Sequence, residues 1–325
     1  MRVAVVGLGA VGTRAARQVV STTEVESVVV SDPKADRMNE VVASLGERAR
    51  SHSSAAELPD GDVVILATPV GSQAPLAETL VARGSSVVCT TDSVAETKRL
   101  LDLGPEAEAR GVTVAVGAGF APGLSCVLAR FAADRFDTVD EIHVSRLGTG
   151  GPACARQHHA ALGGEALDWR DGGWQHRRAG SGRELVWFPD PIGGADCYRA
   201  ELPDAILLVP AFPGVGRVTA RLAATRRDRL TSRFPMARRP HPEGGLGAVR
   251  VEVRGRGPAG IDVEILGAMD RPGVAGGAVA ALAAVELGAG RARRSGAAGL
   301  ASLVDAPAFL GALAHRGVKV ARFAP

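Results

Sequence analysis

MRVAVVGLGAVGTRAARQVV, residues 1–20, decides the fold. The apolar run Val3 to Val6 predicts a short strand, Gly7, Gly9 and Gly12 follow in GxGxxG spacing, and Val11, Ala15, Ala16 and Val19 then recur at helical spacing. Gly7 permits the tight turn, Gly9 lets the backbone approach a pyrophosphate, and Gly12 lets the helix pack close to the strand. The free N–H groups of the helix N-terminus are then aimed at phosphates. Contacts to a dinucleotide are accordingly expected at Gly7, Gly9, Ala10, Val11 and Gly12. A second apolar run, SVVVSD, ends in Asp32, ~20 residues past the last glycine, where a carboxylate meets a ribose 2′-hydroxyl. Asp32 repels a 2′-phosphate and so favours NAD, while Lys34 and Arg37 just beyond it leave NADP open.

Outward from this unit the alternation continues. DVVILATP from Asp62, SVVCTTD and VTVAVGAG read as strands, and SQAPLAETLVARG and VAETKRLLDLGPEAEARG between them as helices. Near-continuous apolar strands separated by helices predict a doubly wound parallel sheet, covered on both faces. Ligands bind at the carboxyl ends of such strands, which puts Ala67, Thr68, Pro69, the turn Thr90-Thr91-Asp92, and Gly117 to Gly123 with Gly119 at the cleft. With a linking helix from Pro122 to Phe136, this Rossmann domain is expected to span residues 1–136.

The pattern then changes class. EIHVSRLG, GRVTARLAA, GAVRVEVRG and DVEILGAMD alternate apolar with polar residues, which predicts a second α+β domain with a mainly antiparallel sheet over residues 137–290, ending in the Ala-rich helix after Pro272. Residues 291–325 are expected to return to the first domain as a helix.

Composition excludes several roles. Of 325 residues 46% are hydrophobic and 22% charged, which suits a soluble protein with real cores. The basic residues form no block interleaved with aromatics, and aromatic content is only 4%, so no nucleic-acid partner is expected. The most apolar stretch, from Val274, contains Glu286 and falls short of the ~20 residues of a spanning helix, so no membrane partner is expected either. No charged and apolar leader precedes the first strand, and a cytoplasmic location is expected. Four cysteines without CxxC spacing argue against a disulfide framework or a zinc ribbon.

The turn GAGFAPGL, taken with the GxGxxG start, the LATP turn and the helix after Pro122-Gly123, resembles the saccharopine dehydrogenase family over roughly the first 130 residues. The resemblance implies a pyridine-nucleotide oxidoreductase acting on amino acids or the imines they form with carbonyl compounds, usually as a homodimer. TTDS at Thr90–Ser93 lacks Glu-Lys-Pro, which sets the chain apart from sugar oxidoreductases of the glucose–fructose type. No lysine lies between Lys98 and Lys319, unlike the pattern expected of a homoserine dehydrogenase.

Catalytic candidates come from CARQHHAAL, Cys154 to Leu162, which follows a strand, a glycine turn and Pro152 and so reads as a helix. An advance of ~100° per residue groups Cys154, His158, Ala161 and Leu162 on one side and Arg156 with His159 on another. His158 is expected as a hydrogen-bonded core residue, and His159, with Arg156, as the contact to substrate and proton relay. Cys154 and His158 make an i, i+4 pair, but Asp168, His176 and Cys197 complete no metal pattern, and hydride transfer requires no metal; none is expected. Substrate carboxylates call for arginine forks. The segment Leu167–Pro191 offers Arg170, Arg177, Arg178 and Arg183 together with Trp169, Trp174 and Trp187, as a substrate flap or as a hairpin packed on its tryptophans. Asp168 and Asp171 are candidates to orient an imidazole or bind an ammonium group, or else surface acids. The reaction expected is reversible reduction of a C=N bond. Oxidation of an amino or hydroxy acid is the alternative, and a dinucleotide-binding sensor or scaffold without catalysis is the reading from another class.

Overall fold

A computed structural model describes residues 1–54, 63–236, 239–258 and 260–323. The first sheet is built from β1 (Arg2–Val6), β2 (Ser27–Ser31), β3 (Ala49–Ser51), β4 (Val63–Leu66), β5 (Ser86–Cys89) and β6 (Thr113–Val116), with helices α1 (Ala10–Val20), α2 (Ala35–Leu45), α3 (Gln73–Ala82), α4 (Val94–Leu101) and α5 (Gly104–Ala109) between them. The expected start of the fourth strand at Asp62 lies outside the described residues. The strand order β3-β2-β1-β4-β5-β6 is parallel throughout and reverses direction of winding between β1 and β4. A ligand cleft belongs at the carboxyl ends of the strands at that switch point. Val63, Val64, Ile65 and Leu66 are all buried, as expected of a strand covered on both faces.

Helix α6 (Leu124–Ala133) leads to the second sheet, made of β7 (Thr138–Leu147), β8 (Glu165–Arg170), β9 (Gly173–Arg178), β10 (Glu184–Phe188), β11 (Gly193–Arg199), β12 (Arg217–Ala223), β13 (Gly247–Gly257) and β14 (Gly260–Asp270), with α7 (Pro152–Ala161), α8 (Asp204–Leu208) and α9 (Arg226–Thr231) in its connections. The pairs are antiparallel except β12 on β7, which run parallel. On β7, Ile142 and Val144 are buried while Glu141 and His143 on the other face are partly exposed. The alternation therefore reports a face packed on the core and a wetter face.

The chain then turns back. Helix α10 (Pro272–Gly288) is apolar on every side and buried along nearly its whole length. The sequence placed it at the end of the second domain; instead it packs against α1, β4 and β5 of the first. Gly277 makes this possible, because a Cβ there would lie 2.6 Å from the Arg14 Cβ and 2.9 Å from the Ala15 nitrogen. A helix with no polar face has to be covered all round. After it, β15 (Gly296–Ala298) joins the edge of the first sheet beside β6, α11 (Leu300–Leu303) and α12 (Ala306–His315) pack on α6, and β16 (Val320–Arg322) pairs with β14 of the second sheet. The final segment thus serves both sheets. No helix among the described residues is long and apolar enough to cross a membrane.

Candidate active site

The three glycines of the opening motif have separate physical duties. Gly7 is at φ +88°, and a Cβ there would lie 2.6 Å from the Ala67 carbonyl oxygen. At Gly12 a Cβ would fall 1.8 Å from the Gly7 oxygen, so only glycine lets α1 start this close to β1. A Cβ on Gly9 would meet nothing within 4 Å, which leaves open the space a pyrophosphate needs at a helix N-terminus. Asp32 is buried behind the turn, its carboxylate accepting from Leu8 N at 2.8 Å and Lys34 N at 3.0 Å, with Arg37 Nη1 3.6 Å from Oδ2. It ties the glycine turn to the end of β2.

Gly9, Ala10 and Val11 open one side of a cleft whose floor is formed by Ala67, Thr68, Pro69, Thr91 and Gly119. Glu96, buried on α4, holds two of these turns together: it accepts from the Gly71, Gln73 and Ala74 amides at the start of α3 and from the Thr91 hydroxyl at 2.7 Å. The Thr91 hydroxyl is therefore committed to Glu96. In the loop GAGFAPGL, Gly123 sits at φ +126° with its missing Cβ only 2.1 Å from the Gly119 oxygen. That close approach folds the loop back on itself and presents its Ala121 carbonyl to Arg146 Nη1 at the far end of β7.

The opposite wall is Arg146, the glycine turn 148–151 and the first turns of α7. Here Asp92, Cys154 and His158 converge. His158 Nε2 lies 2.9 Å from Asp92 Oδ2 and 3.5 Å from Cys154 Sγ, and the sulfur lies 3.8 Å from the same carboxylate oxygen. Arg146 Nη2 is 3.7 Å from Asp92 Oδ2. Arg146 is 2% exposed, and its Nε and Nη2 have no hydrogen-bond partner among the described residues; nor does His158 Nδ1.

Burial works to lower the His158 pKa, but the Cys154 sulfur and the hydrogen bond to Asp92 outweigh it and the opposing Arg146 charge, and the imidazole is pushed up to about 9. Burial pushes the Asp92 carboxyl up, and its bond to His158 together with the His158 and Arg146 charges brings it below the usual carboxylate range. Asp204, bonded by the Ser125 hydroxyl at 2.9 Å, is raised by burial despite the Arg146 charge. The other three cysteines are buried, and burial raises every one of their thiols, Cys126 and Cys197 to about 12.

Several expectations are corrected. His158 is buried as expected, yet it walls the cleft rather than the core. His159 points elsewhere, its Nε2 donating to the Thr231 carbonyl at 2.9 Å, and Arg156 is exposed and lines no part of the cleft. Asp168 pairs with Arg199 at 3.1 Å, Arg170 with its neighbour Asp171, and Arg183 with Asp196; Arg177 reaches only Gln175. None of these lines the cleft. The segment is a hairpin in which Trp169 and Trp174 are cross-strand partners, edge to face at 5.1 Å, while Trp187 is 62% exposed on β10. Arg146 and Asp92 are the functional candidates that sequence reasoning missed as side chains. Asp92 stands in a turn already expected at the cleft, and Arg146 lies on the last residues of β7, two positions before the glycine turn that leads into α7. Both signals were present, without anything to say that the two turns meet.

Residues 1–118 match the model of the GFO/IDH/MocA oxidoreductase family with its NAD-binding Rossmann fold. The first domain is the NAD-binding domain of an oxidoreductase. The match bears on the missing Glu-Lys-Pro as well: residues 1–118 are similar to the NAD-binding domain of that family although the turn Thr90–Ser93, which here carries Asp92, lacks those residues. Among solved structures, the chain is similar to saccharopine dehydrogenase (L-Glu forming) from Saccharomyces cerevisiae at TM-score 0.70 and 13% identity, over 99% of this chain and 100% of that one. It is also similar to GenD2 from gentamicin A biosynthesis in complex with NAD (TM-score 0.51, 18% identity, 100% and 97% covered) and to the C. glutamicum DAP dehydrogenase in complex with DAP (0.50, 14%, 95% and 95%). At these identities the likeness is one of fold. It extends over the second sheet as well as over the NAD-binding domain.

Proposed function

We propose that the chain catalyses reversible hydride transfer between NAD(P) and the C=N bond of a carboxylate-bearing substrate derived from an amino acid, in the manner of the saccharopine dehydrogenase-like enzymes it resembles. One observation carries the reading: the glycine turn of the NAD-binding domain and the group Asp92, Cys154, His158 and Arg146 face each other across a single cleft. The cofactor, held by the Gly9 turn and the floor at Ala67 to Pro69, supplies or takes up the hydride. Arg146 is the natural carboxylate partner, since its buried guanidinium lines the cleft with Nε and Nη2 lacking a hydrogen-bond partner among the described residues, Nη2 lying 3.7 Å from Asp92 Oδ2, and such a guanidinium favours an anion that binds it in a fork. The first turn of α7, which lines the same wall, adds the positive end of a helix. With the carboxylate there, the heteroatom of the reducible bond faces Asp92, Cys154 and His158, the group placed to stabilise the charge left on it once hydride is on carbon.

The test follows nicotinamide fluorescence with 2-oxo acids supplied alone, with an amino acid, and with a simple amine. Turnover is expected only where an imine carrying a carboxylate forms. Arg146→Met should raise KM for that substrate by at least ~10-fold, the loss of one charge-assisted contact, and His159→Ala should leave turnover unchanged. Equal turnover of neutral sugars or aldehydes, or loss of activity in His159→Ala with Arg146→Met unaffected, refutes the assignment.

A further inference from the structure

We propose that Asp92 Oδ2, Cys154 Sγ and His158 Nε2 form a mononuclear zinc site whose remaining position opens into the cleft. The three donor atoms lie within 4.8 Å of one another, with edges of 2.9, 3.5 and 3.8 Å. A tetrahedral zinc at ~2.3 Å from sulfur and ~2.0–2.1 Å from nitrogen and oxygen holds neighbouring ligand atoms roughly 3.3–3.6 Å apart. The triangle needs adjustments of only a few tenths of an ångström to meet that geometry. Without an ion, the imidazole Nε2–H and the thiol S–H both donate to Asp92 Oδ2, at 2.9 and 3.8 Å, so a dication at this centre would take the place of those two protons.

The chemistry of the donors selects the ion. Thiolate, imidazole and carboxylate together suit zinc better than magnesium or calcium, which prefer all-oxygen sets. A carboxylate and a thiolate balance the dication. Cys154 and His158 stand one turn apart on α7, and Asp92 comes from the turn after β5, so the ion would also pin the second domain's helix to the first sheet. All three residues line the cleft, and three protein ligands with a vacant fourth position is the pattern of a catalytic rather than a structural zinc. The inference rests on the reading of the cleft given above and deepens it. As hydride adds to carbon, the π electron pair of the C=N bond moves onto nitrogen, where zinc stabilises it until water in the cleft donates the proton that completes the amine.

The decisive experiment reads metal directly. The full chain is incubated with zinc, freed of unbound ion and assayed by elemental analysis, then reconstituted with cobalt. Equimolar zinc is expected, with a sulfur-to-cobalt charge-transfer band and the intense visible absorption of a tetrahedral site. Cys154→Ser should abolish the charge-transfer band, and Asp92→Asn should weaken zinc binding by more than the ~10–100-fold that changes outside the ligand sphere cost. NAD binding by both variants confirms that they are folded. Absence of retained metal in wild type, or equal zinc affinity in Cys154→Ser, overturns the proposal. Full imine reduction by metal-free protein overturns the zinc role while leaving the reading of the cleft intact, whereas tight zinc without imine reduction overturns that reading and leaves the site standing.

Discussion

Two alanine substitutions three residues apart should have opposite effects, because the glycines they replace serve different physical ends. At Gly12 the added Cβ would fall 1.8 Å from the Gly7 oxygen, whereas ordinary contact begins at 3.4 Å, so turn and helix must part by about 1.6 Å, the difference between those distances. Overpacking of that kind costs ~1–3 kcal/mol, and with backbone on both sides of the clash the upper end applies. At Gly9 the added Cβ meets nothing, and φ −75° with ψ −164° suits any L-residue. Losing glycine at the N-cap costs ~0.5–1 kcal/mol, and stiffening the unfolded chain returns ~0.4–1 kcal/mol, so the net change in stability should be close to zero. The same Cβ would intrude on the pyrophosphate and weaken NAD binding by at least ~10-fold, or ~1.4 kcal/mol. Denaturant unfolding and a fluorescence titration with NAD separate the two. Gly9→Ala should unfold like wild type and bind NAD poorly; Gly12→Ala should unfold earlier. Intact NAD affinity in a destabilised Gly9→Ala protein would refute the division of roles.

Two further outcomes follow from charge. Asp32→Asn keeps an acceptor for Leu8 N while releasing Arg37 from its counter-charge; the ratio of NADP to NAD affinity should rise, and an unchanged ratio in parallel titrations would show that Asp32 does not face the ribose. Burial tends to raise the Glu252 carboxyl, but hydrogen bonds from Arg254 at 2.8 Å and Arg250 at 2.9 Å bring it below the usual carboxylate range. A depressed folded-state pKa contributes stability above the unfolded value of ~4.3 that disappears as pH falls through the folded value, so Glu252→Gln should lower the melting temperature at neutral pH and lose less than wild type on acidification.

The NAD-binding half was legible because its determinants are local. Strand, glycine turn, helix and Asp32 lie within one short stretch, and each glycine is required by a neighbour a few residues away or by empty space. The catalytic wall was legible only in part. Helical phase correctly set Cys154 and His158 on one side and His159 on another, but an apolar-flanked face reads the same whether a core or a cleft covers it. What covers it here is Asp92, 66 residues before His158 and in the other domain. The arginine-rich segment misled for the opposite reason: its charges were close together in sequence, and the β8–β9 hairpin and the turn into β10 carry them away from the cleft, into pairs with Asp171 and Asp196 or out to solvent.

The path of the chain after β14 has a consequence for taking this protein apart. Residues 1–118 match a recognised domain, yet that piece cut free would lack β15, the neighbour of β6, and α10, the lid over α1 and β4. It would display a bare strand edge and a stripe of small apolar residues, the two features that most readily drive a soluble fragment into aggregates. The unit that evolves as a module and the unit that can be purified as one are therefore different here, and a minimal dinucleotide-binding fragment would have to be made by splicing residues 272–298 back onto the N-terminal half.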